Sequence, residues 1–462
     1  MTLFLLACFL LVVGYFVYGY FVERIFGVSA TRKTPAVQYA DGVDYIVLPP
    51  LKIFLIQFLN IAGLGPVFGA ILGAVYGPVC LLWIVFGCIF AGAVHDYLSG
   101  MISIRYKGRS LVFFVEKFFG KKFKNVFMIF MAFFLLLVGA VFAMNPAQML
   151  ASISSLSFLI WITIIFSYYF LATLLPIDKI IGRFYPLFAL LLLGVTFSLL
   201  ICLLTSGLNF YPNLSLSSQN PDGSGIFPVM FVTIACGALS GFHATQSPMM
   251  AKCIGNEKMG RPIFYGAMIT EGFVALIWAT LGIAFYQNSE ALQQAILSGG
   301  PGGALSEISK NFLGNIGAVL TVLAVVVLSI TSGDTAFRSA RLTFAECFKI
   351  PQNNFLKRVF VSVCVLGAGI GLCFFNLTKV WTYFGWANQC MAAITLWVCS
   401  IYLAQKNKLY WISLIPANFI SIVCITYILN QKIGLDMPLI YATISGIVLT
   451  GICNIFFFKK NR

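Results

Sequence analysis

The chain has 462 residues, 29 Lys and Arg against 14 Asp and Glu, a formal net charge of +15, and 60% hydrophobic but only 9% charged residues. So few charges exclude a conventional water-soluble domain. The positive excess is spread over short segments between apolar runs, which fits loops beside an anionic membrane leaflet and gives no nucleic-acid surface.

Thirteen predominantly apolar stretches of roughly 18 to 27 residues are expected to span a membrane as helices, at 3–22, 51–75, 79–105, 124–144, 157–175, 184–206, 227–251, 264–286, 314–336, 356–375, 380–403, 410–429 and 438–458. Each is long enough to cross ~30 Å of hydrocarbon. If loops alternate sides, 26 of the 29 basic residues share one side, and only Lys310, Lys379 and Lys432 lie on the other. Positive charge collects on the cytoplasmic side, so the N-terminus is expected outside and the C-terminus, with Lys459, Lys460 and Arg462, inside. The whole chain reads as one all-α polytopic membrane domain.

Span 3–22 has no positive segment before it, so despite a faint cleavage-like Val28-Ser29-Ala30 it is expected to stay as an extra N-terminal helix (residues 1–22). A cytoplasmic loop, 23–50, follows. The second span contains Ala62-Gly63-Leu64-Gly65-Pro66 near its middle. The seventh contains Gly237-Ala238-Leu239-Ser240-Gly241-Phe242-His243-Ala244-Thr245-Gln246-Ser247-Pro248. Proline removes a backbone donor and glycine eases departure from helical dihedrals, so both spans are expected to be discontinuous. Unpaired backbone at that depth is tolerated only where it faces protein or a watery cavity. The two broken spans are five helices apart, an odd number, so they run in opposite directions. That order implies an inverted five-plus-five repeat of LeuT-like type, 51–206 and 227–403, with two further helices in 404–462. The outside loops 207–226 and 287–313, rich in Gly, Ser, Asn and Pro, are expected to be surface turns.

Three acids and both histidines lie within spans: Asp96, Glu271, Asp334, His95 and His243. A charge at mid-bilayer costs about 3 kcal/mol on the lenient insertion scale, so such residues have a task or a partner. Asp96 has a structural alternative, pairing with the Arg105 region. Glu271 has one with Thr270 or Tyr265, and Asp334 one with Arg338 four residues on. Ser329, Ser332 and Asp334 share the ninth span and suit a proton or a hard cation such as Na⁺, although hydroxyls in membrane helices also bond their own backbone. No Lys or Arg lies at the middle of a span. An anionic cargo would therefore be held by half-helix N-termini after Pro66 and near Gln246-Ser247-Pro248, with Asn60, His243, Thr245 and Gln246 as neutral donors. Thirteen cysteines, nearly all within spans and without a C-x-x-C pair, indicate neither disulfides nor zinc.

Several segments together resemble the carbon starvation protein A family of bacterial inner-membrane transporters. They are Thr34-Pro35-Ala36, Asp41-Gly42-Val43-Asp44-Tyr45, Ile61-Ala62-Gly63-Leu64-Gly65-Pro66, Phe90-Ala91-Gly92-Ala93-Val94-His95-Asp96, Gly108-Arg109-Ser110 and Ser240-Gly241-Phe242-His243-Ala244-Thr245-Gln246-Ser247-Pro248-Met249-Met250-Ala251-Lys252-Cys253. The resemblance is dense over about residues 20–260 and thinner beyond. It implies the amino acid–polyamine–cation superfamily fold, a role in the response to starvation, and import of peptides or of small carboxylates such as pyruvate with protons. Where this chain has His95, the family carries glutamine. Its longer members extend further, with additional spans.

The expected function is therefore a secondary transporter in the bacterial inner membrane, with no enzyme activity and no cofactor beyond a coupling H⁺ or Na⁺. Asn60, Gly63, Gly65, Pro66, Gly241, His243, Thr245, Gln246 and Pro248 are the expected substrate site. Asp96, Glu271, Ser329, Ser332 and Asp334 are the expected coupling groups. The alternatives are a haem or metal redox protein using His95 and His243, and a nutrient sensor that binds without transport. The oligomeric state is not legible in the chain.

Overall fold

The computed structural model describes the backbone except at residues 42–44, 175–176, 351–353 and 461–462, and the side chains except also at 177–184 and 346–347. Gly42, Val43 and Asp44 of the loop motif, and Arg462, therefore lie outside the described residues.

Apolar sequence with few charges makes helices throughout. The long elements are α1 (Thr2–Phe26), the pair α2 (Pro50–Ala62) and α3 (Gly65–Ala74), α4 (Val79–Arg105), α5 (Leu111–Phe119), α6 (Lys121–Ile153), α7 (Phe158–Leu174) and α8 (Tyr185–Thr205). After a short helical piece α9 (226–233) come α10 (His243–Ala251), α11 (Glu257–Tyr286), α12 (Ser289–Ala345), α13 (Phe355–Leu372), α14 (Leu377–Gln405), α15 (Trp411–Asn430) and α16 (Leu439–Lys460). Ten described helices are long and apolar enough to cross a membrane, or 11 with the bent pair α2–α3 taken as one span. The 17-residue α7 and the interrupted stretch 226–251 occupy the two remaining expected positions.

Burial sorts these helices into two shells. α4 and α14 are each 83% buried and α11 is 78% buried, whereas α1 reaches 28% and α16 only 17%. The outer helices present large apolar side chains such as Leu5, Phe9, Ile444 and Phe456 outward, as a lipid-facing surface does.

Both expected discontinuities are present. The chain bends by 56° between α2 and α3, through Gly63 at φ 41°, and Pro66 takes its place in the first turn of α3, where its missing N–H costs nothing. The second break lies earlier than expected, at 234–242, and Pro248 sits inside α10. The loop reading of 287–313 is corrected. The segment is helical from Ser289, with steps at Gly300 and Gly314, each at φ 67°. Leu292, Leu305 and Ile308 bury its inner face, and that packing overrides the glycine content.

Candidate functional site

The two breaks touch. A Cβ placed on Gly65 would lie 1.7 Å from Cys236 Cβ, and one on Gly92 would lie 2.2 Å from the Ala238 carbonyl oxygen. Gly237, at φ 90°, sits against Pro66 and Ala275. Only glycine admits such close approach. The unwound backbone of 234–242 is received by neighbouring side chains: Asn388 Oδ1 accepts from Phe242 N at 2.9 Å and from Ser240 Oγ at 3.2 Å. Gln389 Nε2 donates to Leu239 O at 3.1 Å, and Trp83 Nε1 donates to Ile234 O at 3.1 Å. Gly241 has no room for a side chain either, since its Cβ would meet Asn388 O at 2.3 Å.

Beside this crossing lies a buried chain of four titratable groups. Asp96 on α4 accepts from His95 Nδ1 through Oδ1 and from His243 Nδ1 through Oδ2, both at 2.8 Å. His243 Nε2 then stands 3.5 Å from Glu271 Oε2 on α11, in charge contact but not aligned as a hydrogen bond. All four side chains have 0% exposure. Because His243 opens α10, the second break delivers it to Asp96 from 147 residues away. Asp96 fixes Nδ1 as the donor on both imidazoles, leaving each Nε2 as the variable atom. A proton between His243 and Glu271 converts a facing imidazole and carboxylic acid into an imidazolium–carboxylate pair without moving net charge. With Asp96 ionised, loading one further proton leaves the cluster neutral, the cheaper state in a buried place.

These contacts replace two of the structural alternatives. Asp96 does not pair with Arg105, whose guanidinium instead meets Glu257 at 2.7 Å. Glu271 is served by neither Thr270, which bonds Gly266 O, nor Tyr265, which bonds Ile89 O. The imidazoles share one carboxylate rather than converging as ligands, and among the described residues no group of three or more His, Cys, Asp or Glu is placed to hold a metal ion.

Other expected site residues are buried but fall into separate places. Asn60 has both amide atoms without a hydrogen-bond partner among the described residues. Gln57, one turn earlier on α2, is in the same condition. Thr245 Oγ1 bonds Phe242 O and accepts from Gln246 Nε2, while Gln246 Oε1 has no hydrogen-bond partner among the described residues. The half-helix N-terminus is at His243, not at 246–248. Pro248 instead lines a void of about 10 Å³ with Ser99, Ala244 and Cys399.

Asp334 belongs to a different cluster. Its Oδ1 is 3.8 Å from Arg338, the expected helical pair. Tyr185 and Tyr169 enclose it: Tyr185 bonds Thr331 O, and the Tyr169 hydroxyl lies 2.1 Å from where Gly333 would carry a Cβ. Ser329 bonds its own helix at Val325 O, while Ser332 Oγ has no hydrogen-bond partner among the described residues. Sequence reasoning missed Gln57, Asn388 and Gln389. The signal was present as amides inside otherwise apolar spans, with Gln57 and Asn60 three residues apart on one helical face.

A family model described as Carbon starvation protein CstA matches residues 1–166, 144–294 and 287–427. An uncharacterized membrane protein of Haemophilus influenzae is 45% identical over 63% of this chain and 92% of its own length. The peptide transporter CstA of Escherichia coli is 24% identical, covering 91% of this chain and 79% of its own length. The pyruvate/proton symporter BtsT of Escherichia coli is 27% identical over 55% of this chain and 45% of its own length. Among solved structures, a manganese transporter of Eremococcus coleocola superposes with a TM-score of 0.60 at 12% identity, covering 92% of this chain and 99% of that one. At that identity the likeness concerns the fold.

Proposed function

The chain belongs to the carbon starvation protein CstA family, and from that premise we propose that it is a proton-coupled importer of peptides or small carboxylates such as pyruvate, working by alternating access. The peptide and pyruvate/proton transporters among its relatives support this cargo class. The observation that carries the coupling is the Asp96 carboxylate held between His95 and His243, with Glu271 behind. Such a buried relay can take a proton from one side and release it to the other when water reaches it.

In this reading the chain crosses the inner membrane 13 times, with the N-terminus outside and a five-plus-five inverted core at 51–206 and 227–403. The opposed breaks at Gly63–Gly65 and 234–242, and the fold shared with a solved transporter, support that core. The cargo carboxylate meets the N-termini of α3 and α10, where the helix dipoles carry partial positive charge and neutral amides at Asn60 and Gln246 offer donors. A proton suits the relay better than Na⁺, because the hydroxyls near Asp334 mostly bond their own helix.

The test is uptake of labelled pyruvate and dipeptides into proteoliposomes under an imposed pH gradient. Wild type should accumulate at least one of them, and His243→Ala should lose accumulation while still showing a cooperative melting transition. Full accumulation by His243→Ala would remove the basis for the site.

A further inference from the structure

A second cavity, of about 490 Å³, lies apart from the buried relay and is lined by Tyr39, Tyr45, Lys107, Gly108, Arg109, Ser110 and Lys252. Its three cations come from two places, the turn after α4 and the end of α10. Their charges lie over aromatic rings: Lys107 Nζ is 5.2 Å from the Tyr39 ring, Lys252 Nζ 5.3 Å from Tyr45, and the Arg109 guanidinium 5.4 Å from Phe113. Among the described residues none of the three has a carboxylate partner, and no carboxylate lines the cavity. Three cations gathered in a lining with no described carboxylate repel one another, and an anion between them relieves that repulsion.

The local backbone is built to hold this arrangement. Lys107 and Gly108 take φ 62° and 73° in succession, and Gly108 N closes the turn onto Ser103 O at 2.8 Å. A Cβ on Gly108 would lie 2.6 Å from Lys252 Cγ, so the glycine lets the lysine stem cross the turn. Tyr45 donates to Lys107 O at 3.0 Å, which ties the loop before α2 to the same turn. The nine-residue α5 begins at this point without a side-chain cap on its free N–H groups, adding partial positive charge to the three full ones.

We propose that this cavity binds a small phosphate-bearing anion and, when filled, pins the loop before α2, the end of α4 and the end of α10 together. Arginine supplies a planar fork for phosphate and the lysines supply point charges. The volume falls within the range of small-ligand sites. Because α4 and α10 carry Asp96 and His243, occupancy slows any motion that parts them. The binding claim stands whether or not the central site transports protons.

The experiment measures binding of inorganic pyrophosphate to the purified full chain by thermal shift and equilibrium dialysis, at constant ionic strength. A parallel arm uses short-chain phosphatidylglycerol against phosphatidylcholine. A saturable rise in melting temperature is expected. The double variant Arg109→Gln, Lys252→Gln should weaken affinity by roughly tenfold or more, and Lys122→Gln, outside the cavity, should not. Response to pyrophosphate identifies a soluble ligand, and response only to phosphatidylglycerol identifies a lipid headgroup in the same site. Dialysis on the single variant Lys107→Gln replaces the double variant if that one unfolds. No saturable binding of either probe, or equal binding by wild type and cavity variants, overturns the proposal.

Discussion

Replacing Glu257 with glutamine keeps the side chain's size and removes one negative charge from a fully buried junction. Glu257 accepts from Ser29 N at 3.0 Å, from Arg32 at 3.2 Å and from Arg105 Nη2 at 3.0 Å, with Arg105 Nε in charge contact at 2.7 Å, so one carboxylate joins the 29–32 loop, the end of α4 and the start of α11. In the proposed topology this junction closes the cytoplasmic side beneath the relay, and inward opening must break it. The Arg32 side chain is 45% exposed, so that pair contributes about 0–1 kcal/mol. Arg105 is 18% exposed, nearer the buried case in which stranding one partner costs about 3–5 kcal/mol. Lying between those regimes, Glu257→Gln should cost the closed state about 2–3 kcal/mol. At 1.4 kcal/mol per factor of ten, the closed-to-open balance moves by a factor of about 30 to 140 toward open. Cys399 is a native reporter, buried at 0% and lining a void with Ser99, Ala244 and Pro248 on α4 and α10. In a chain retaining Cys399 alone, its rate of modification by a membrane-impermeant thiol reagent applied from the cytoplasmic face should rise by that factor, and Arg105→Gln should act in the same direction. An unchanged rate, with the fold intact by melting temperature, would refute the role of Glu257 as a closing element.

Asp96→Asn removes the charge between the two imidazoles and turns the acceptor of one of them into an N–H donor, and should abolish proton-driven accumulation in proteoliposomes; accumulation at the wild-type level would contradict the relay. Glu271→Gln should lose the response to a pH gradient while counterflow exchange of substrate persists, and an unaltered gradient response would show that Glu271 takes no part. His95→Gln supplies an amide that can still donate to Asp96, so uptake should stay within about threefold of wild type, a change smaller than 1 kcal/mol; a complete loss would make His95 itself essential. Gly65→Ala drives a methyl group into Cys236 and should destabilise the chain by about 1–3 kcal/mol or more, read as a lower melting temperature that Cys236→Gly partly restores. Full stability of Gly65→Ala alone would mean that the two breaks do not touch.

Much of this molecule is written in local sequence. Span positions follow from runs of apolar residues, and the two discontinuities follow from glycine and proline, which act on their own backbone. The pair Asp334 and Arg338 was legible for the same reason, since four residues along a helix fix their spacing. What lay beyond reach were contacts that depend on which helix faces meet. Asp96 had a basic partner within ten residues in sequence and instead bonds a histidine 147 residues away. Glu271 had polar neighbours on its own helix and instead faces His243. The second break falls at 234–242 rather than around Pro248, because Asn388 and Gln389 arrive from α14 to receive the unwound backbone. Hydropathy and residue type determine that a helix exists and roughly where it stops, because those energies are summed along the chain. Only tertiary packing decides which buried polar group meets which, because each must find a partner wherever the bundle brings one.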